Sequence, residues 1–192
     1  MENVNNISAN NQVQIAAHQT ACEKSYYAQP YNLDATGFYF STLEEYEEKV
    51  DKCRDSFGLP VEEFELMFIN GSDEEAQLFK ACSVNQANLG QFLAIIEDVP
   101  AYQLPALFYL CDVHGYNMEE AMNKIDDVTI YTGELKEAAE ELFDECYAHE
   151  IPDHLKHYID YDAFARDCEL GGDMTEFEFA GSTYTVTNAA CI

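Results

Sequence analysis

The chain has 192 residues, with 37 Asp and Glu against 9 Lys and Arg, a formal net charge of −28. Nine cations scattered among so many anions cannot build the basic face that binds nucleic-acid phosphates or an anionic membrane surface. Disorder is excluded by the other half of the composition, because 47% hydrophobic and 13% aromatic residues are enough for a buried core.

The most apolar stretch, Leu104 to Cys111, is about eight residues, against the ~20 that a membrane-spanning helix needs. The amino-terminal sequence MENVNNISANNQVQIAAHQTACEK lacks the basic start and apolar run of a signal peptide. Seven cysteines, with no Cys-x-x-Cys pair, read as free thiols in a reducing cytoplasm.

Residues 1–24 are rich in Asn, Gln and Ala and form an extension, with a helix expected around Val13–Cys22. Aromatic strands are expected at Tyr26–Tyr31 and Gly37–Phe40. A helix follows, opened by a Thr42/Glu45 capping box, with Leu43, Tyr46, Val50, Cys53 and Phe57 on one face and Gly58 and Pro60 ending it. Glu63–Ile69 is expected as a strand. Helices are expected at Glu74–Cys82, Gln86–Glu97, Pro100–His114 and Asn117–Lys124, together a small bundle. The last third returns to mixed elements. A strand is expected at Asp127–Tyr131 and a helix at Glu134–His149, with Leu135, Ala138, Ala139, Leu142, Phe143, Cys146 and Tyr147 packed. Pro152 can open a short helix. Tyr161–Leu170 is a helix stopped by Gly171-Gly172, and Glu176–Thr187 is a hairpin turning at Gly181-Ser182. The expected class is α+β, an elongated chain of three small domains: 25–72, a β-sheet plus helix; 73–125, a helical bundle; and 126–192, a β-sheet plus helices.

Cys111-x-x-His114 and Cys146-x-x-His149 have a zinc-like spacing, with His154 and His157 nearby. Cys146, however, sits among apolar positions, where cysteine is usually a small core residue. A calcium loop fails because Phe164 and Ala165 stand where the third ligand and the glycine belong. There is no Walker A loop, Gly-x-Gly-x-x-Gly, Gly-x-Ser-x-Gly or His-Glu-x-x-His sequence. No metal, no cofactor and no catalysis are expected.

What remains is the pattern of acids. Two helices each pair an apolar face with a face of carboxylates: Glu44, Glu47, Glu48, Asp51 and Asp55 in the first, Glu137, Glu140, Glu141, Asp144 and Glu145 in the second. Like charges four residues apart destabilise a helix by ~0.2–0.5 kcal/mol each. Solubility asks only for a net charge of about 2–8 in a small domain. A surface shaped to meet a basic groove accounts for the excess. Duplex DNA carries one charge per ~1.7 Å, so a charge of −28 matches ~48 Å of duplex. Glu62, Glu63, Glu119, Glu120, Asp126, Asp127 and Glu134 complete the set of carboxylates expected to stand in for phosphates. A purely solvated acidic surface is the plainer alternative.

Residues 151–173, IPDHLKHYIDYDAFARDCELGGD, resemble the carboxy-terminal signature of ArdA-type antirestriction proteins. Pro152, Leu155, Tyr158, Ile159, Asp160, Tyr161, Ala163, Phe164, Arg166, Asp167 and Leu170 fall on its positions. AMNKIDDVTIYTGELKEAAEELFDE, 121–145, lies where that family carries its antirestriction motif. The resemblance spans 25–192; Ile69-Asn70-Gly71-Ser72 departs from the family's usual Asp-Tyr-Glu ending to the third strand. It implies a non-enzymatic, cytoplasmic DNA mimic, elongated and curved, typically encoded on mobile elements. Such a protein dimerises through its carboxy-terminal domain and occupies the DNA groove of type I restriction–modification enzymes, without itself binding nucleic acid or membrane. Tyr158, Ile159, Asp160, Tyr161, Phe164, Arg166 and Asp167 become structural residues near the dimer surface, with Arg166 in an internal ion pair. An acidic protein binding another basic, DNA-associated partner is the alternative.

Overall fold

The computed structural model describes residues 24–192, so the leader helix expected around 13–22 lies outside the described residues. The chain divides after Ser72 into two compact units.

The first unit holds β1 (Ser25–Pro30), β2 (Phe38–Phe40), α1 (Leu43–Lys52) and β3 (Phe64–Asn70). The strands form an antiparallel sheet of order β2-β1-β3. Alternation along β1 sends Tyr26 and Ala28 inward, both fully buried. Tyr26 stacks on Phe40 at 5.4 Å, and Tyr46 of α1 packs on Phe40 at 4.9 Å, which seats the helix on the sheet.

Thr42 caps α1 by accepting from Glu45 N at 3.2 Å, while the Glu45 carboxylate accepts from Ser41 N at 2.8 Å. The helix ends at Lys52, five residues short of Phe57. Asp55 is the reason: its Oδ1 accepts from the backbone N of Phe57 and of Leu59, both at 2.9 Å, in a turn that competes with the helix. Phe57 is therefore 76% exposed instead of packed.

The second unit begins with α2 (Asp73–Ala81), α3 (Leu89–Asp98), α4 (Leu104–Asp112) and α5 (Met118–Lys124). It continues through β4 (Ile130–Thr132), α6 (Leu135–Cys146), α7 (Tyr161–Gly171), β5 (Thr175–Phe179) and β6 (Ser182–Val186). Its sheet is antiparallel with order β4-β6-β5. The boundary expected at 125/126 runs through this unit. Phe108 of α4 lies 4.9 Å from Phe179 and 6.1 Å from Phe177, and Tyr109 lies 5.3 Å from Phe177. Gln77 of α2 accepts from Ala180 N in the hairpin turn at 3.2 Å.

β4 starts three residues later than expected because Ile125–Asp127 continue α5 as a 3-10 turn. The helix expected to reach His149 stops at Cys146, where a 3-10 turn, Ala148–Glu150, redirects the chain. Cys146 is exposed, whereas Tyr147, half exposed, still meets Phe143 at 5.5 Å and Phe164 of α7 at 6.2 Å, at the end of the seam that Leu135, Ala139 and Leu142 make with Ala165 and Cys168. After Pro152 only a 3-10 turn forms, at Lys156–Tyr158. Asp160 caps α7 by accepting from Ala163 N at 2.9 Å, and Gly172, at φ 77°, ends it. The hairpin turns at Ala180-Gly181, one residue earlier than expected, with φ of 50° and 76°.

Gly37 illustrates how tightly the first sheet closes. A Cβ there would lie 2.5 Å from both the Ala28 carbonyl oxygen and the Tyr27 hydroxyl. A strand carbonyl cannot retreat without breaking the ladder. Gly37→Ala is therefore expected to destabilise the protein by roughly 1–3 kcal/mol, read as a lower urea midpoint with an unchanged slope.

Candidate functional site

In the first unit Glu44, Glu47, Glu48 and Asp51 are exposed on α1, and Glu62 and Glu63 are exposed ahead of β3. Lysines interrupt the α1 row, for Lys49 pairs with Glu45 and Lys52 with Glu48. The hydrogen bond from Lys49 holds the Glu45 carboxyl below its usual range. Asp55 leaves the set altogether: half-buried, it serves its own turn and accepts from Asn32 Nδ2 at 3.3 Å.

In the second unit Glu119, Glu120, Asp126, Asp127, Glu134, Glu137, Glu140, Glu141, Asp144 and Glu145 are all exposed. Some have structural duties. Glu120 completes a capping box with Asn117 at the start of α5. Asp126 accepts from Gln103 Nε2 at 2.8 Å. Asp144 accepts from the Tyr161 hydroxyl at 2.7 Å.

The densest row lies on α6. Glu137, Glu140, Glu141, Asp144 and Glu145 share its exposed side, and no ion pair among the described residues neutralises any of them. Lys136, the nearest cation in sequence, turns instead to Asp162 on α7 at 2.8 Å. The row is also felt electrically: desolvation first, then Glu137, Glu141 and Glu140, push the Tyr131 phenol up.

What orients α6 was not legible locally. Glu134 stands at its cap position without a side-chain hydrogen bond, and the Leu135 N–H donates instead to Glu176 Oε2 on β5 at 2.7 Å. A carboxylate at a helix N-terminus also favours the helix dipole. The only sequence signal is the outward-facing register of Glu176 in the strand TEFEF.

The zinc-like set is not assembled as its spacing suggested. Cys111 is buried against Cys82, Sγ to Sγ 3.6 Å, and that hydrogen bond together with burial pushes the Cys82 thiol up. His114 packs on Tyr109 at 4.9 Å, and Cys146 and His149 are exposed. Among the described residues no group of three or more His, Cys, Asp or Glu is placed to hold a metal, and no helix is long and apolar enough to cross a membrane.

The model of one protein family, antirestriction protein (ArdA), matches residues 2–181. The chain belongs to the ArdA family. No curated protein and no solved structure matches it. The family match takes in the leader, beyond the 25–192 span of the motif resemblance.

Within the ArdA signature, Asp160 caps α7, Tyr161 holds Asp144, and Phe164 packs edge-on to Phe143 at 5.1 Å. Ile159 is half-buried, and Tyr158 and Asp167 are exposed. Arg166, expected in an internal ion pair, is exposed and makes none among the described residues; Lys136 has taken Asp162. Beyond the signature, Phe177 and Phe179 each pack on Tyr184 and on Phe108 of α4.

The Tyr161–Asp144 bond ties α7 to the acidic row and carries a pH signature. Hydrogen bonding to Asp144 and desolvation push the Tyr161 phenol up to about 12. A phenol raised above its unfolded value of about 10 contributes fully below that pH and loses its contribution as pH rises through 12. Tyr161→Phe is thus expected to lower Tm at pH 7–9, with the gap from the parent narrowing above pH 10 in circular-dichroism melts.

Proposed function

We propose that this ArdA-family protein is a DNA mimic that acts without catalysis, occupying the DNA-binding groove of type I restriction–modification enzymes and shielding incoming DNA. The observation that carries the reading is the α6 row. Five un-neutralised carboxylates, Glu137, Glu140, Glu141, Asp144 and Glu145, are spread over about 12 Å of helix axis, a mean spacing of ~3 Å. One DNA strand presents a charge every ~3.4 Å and the duplex one every ~1.7 Å. The α6 face falls between the two. An enzyme groove that neutralises phosphates meets a comparable density of fixed anions, and the net charge of −28 steers the encounter.

Energy in such a complex is spread over many exposed contacts, each worth up to ~1 kcal/mol. Single changes such as Glu140→Gln are expected to weaken binding roughly fivefold or less. Neutralising Glu137, Glu140, Glu141, Asp144 and Glu145 together is expected to cost on the order of 100-fold, with folding intact because the i,i+4 repulsions are relieved. Affinity for a purified type I enzyme, measured as charges are removed stepwise, checks this. One acid accounting for nearly the whole loss, with the other four silent, would falsify the mimicry.

The protein further acts as a homodimer joined through its carboxy-terminal region, in the cytoplasm. Support comes from large apolar side chains left outside near the signature: Tyr158 is 75% exposed and Leu170 78%. Each is a large apolar group that a second copy can cover on association. Light scattering at micromolar concentration is expected to give a dimer, and Tyr158→Glu with Leu170→Glu a folded monomer. A parent protein that scatters as a monomer would remove this part of the reading.

A further inference from the structure

A recess of about 510 Å³ opens in the second unit between the 3-10 turn Ala101–Gln103, the first turn of α4, the segment from Ile125 to Thr132 and Tyr184 of β6. Its walls are of two kinds. Ile125 and Ile130 give apolar surface, while Tyr102, 76% exposed, and half-buried Tyr184 give aromatic surface. One polar group interrupts them: Gln103 Nε2 donates to Asp126 Oδ1 at 2.8 Å. That bond fixes the two side chains against each other. Asp126 Oδ2 and Gln103 Oε1 have no donor among the described residues.

We infer that this recess receives an arginine side chain of the basic partner, and so forms an anchor beside the diffuse contacts of the carboxylate rows. The inference rests on the mimicry reading, because the net charge of −28 selects a basic partner. Arginine fits each wall. Its planar guanidinium carries five N–H donors in fixed directions, enough to serve a carboxylate and an amide oxygen in one wall, where lysine offers a point charge. Its aliphatic stem lies on apolar surface such as Ile125 and Ile130. The guanidinium face can stack on an exposed tyrosine ring. Arginine in a pocket is also the kind of contact that concentrates binding energy within an interface. Asp126 is thus both oriented by a neighbour and set into the wall of a recess.

The test compares adjacent carboxylates of equal charge. Full-length variants are titrated against a purified type I restriction–modification enzyme at fixed salt, with circular-dichroism melts confirming that each is folded. Asp126→Asn and Tyr102→Ala are each expected to weaken binding roughly five- to thirtyfold, and the double variant by less than the product. Asp127→Asn, one residue away and outside the recess, is expected to change affinity about twofold or less. Equal effects at Asp126 and Asp127, or a silent Tyr102→Ala, overturn the anchor. If neutralising the α6 row weakens binding while the recess variants do not, the anchor fails and mimicry stands. If neither set matters, the mimicry reading itself has failed. Loss of the dimer in Tyr102→Ala would assign the recess to a second copy of this chain, and so also reject the partner arginine.

Discussion

Helix α6 holds its row of carboxylates only because its other side is fastened. Glu137 with Glu141, and Glu141 with Glu145, repel across one turn. Against this act the seam of Leu135, Ala139 and Leu142 on Ala165, Cys168 and Met174, and the bond from Leu135 N to Glu176. Burying one such large side chain gains about 1.5–3 kcal/mol, several times the cost of each repulsion. The small Ala139 lets α7 approach closely, and Asp160 and Gly172 fix where α7 starts and stops. The acidic surface is thereby a product of the core beneath it.

The two helices that look alike in sequence differ in electrostatic character. On α1, Lys49 and Lys52 fall in the last turn, where they suit the helix dipole and neutralise Glu45 and Glu48 one turn back. On α6 the last turn has no cation, and Lys136 is drawn sideways to Asp162. The same count of acids therefore leaves a more continuous negative face on α6 than on α1. Charge composition alone misses this, since it depends on which way each lysine turns.

Much of the fold could be read from local rules. The caps at Thr42, Asn117 and Asp160, the Gly172 stop and the β5–β6 hairpin each follow from residues within a few positions of one another. Reading failed where a distant or competing partner decided the outcome. Asp55 ended α1 early by binding two backbone N–H groups downstream. Glu176 capped α6 from 41 residues away. Periodicity placed Cys146 on a packed face, but the rings of Phe143 and Tyr147 on either side of it take the contacts with Phe164 of α7 and leave Cys146 exposed. Family membership was legible in the carboxy-terminal signature. Which carboxylates stay un-neutralised, and that Asp126 faces a recess, are three-dimensional facts.

Tyr131 sits at the foot of the α6 row, and its phenol already registers Glu137, Glu141 and Glu140. A cationic surface laid on those acids relaxes their field, while the burial it adds pushes the same phenol further up. The chain contains no tryptophan, so its near-ultraviolet absorption is dominated by its 13 tyrosines. The α6 face thus lies beside an intrinsic chromophore, and on the mimicry reading its occupancy is felt at a tyrosine without any attached label.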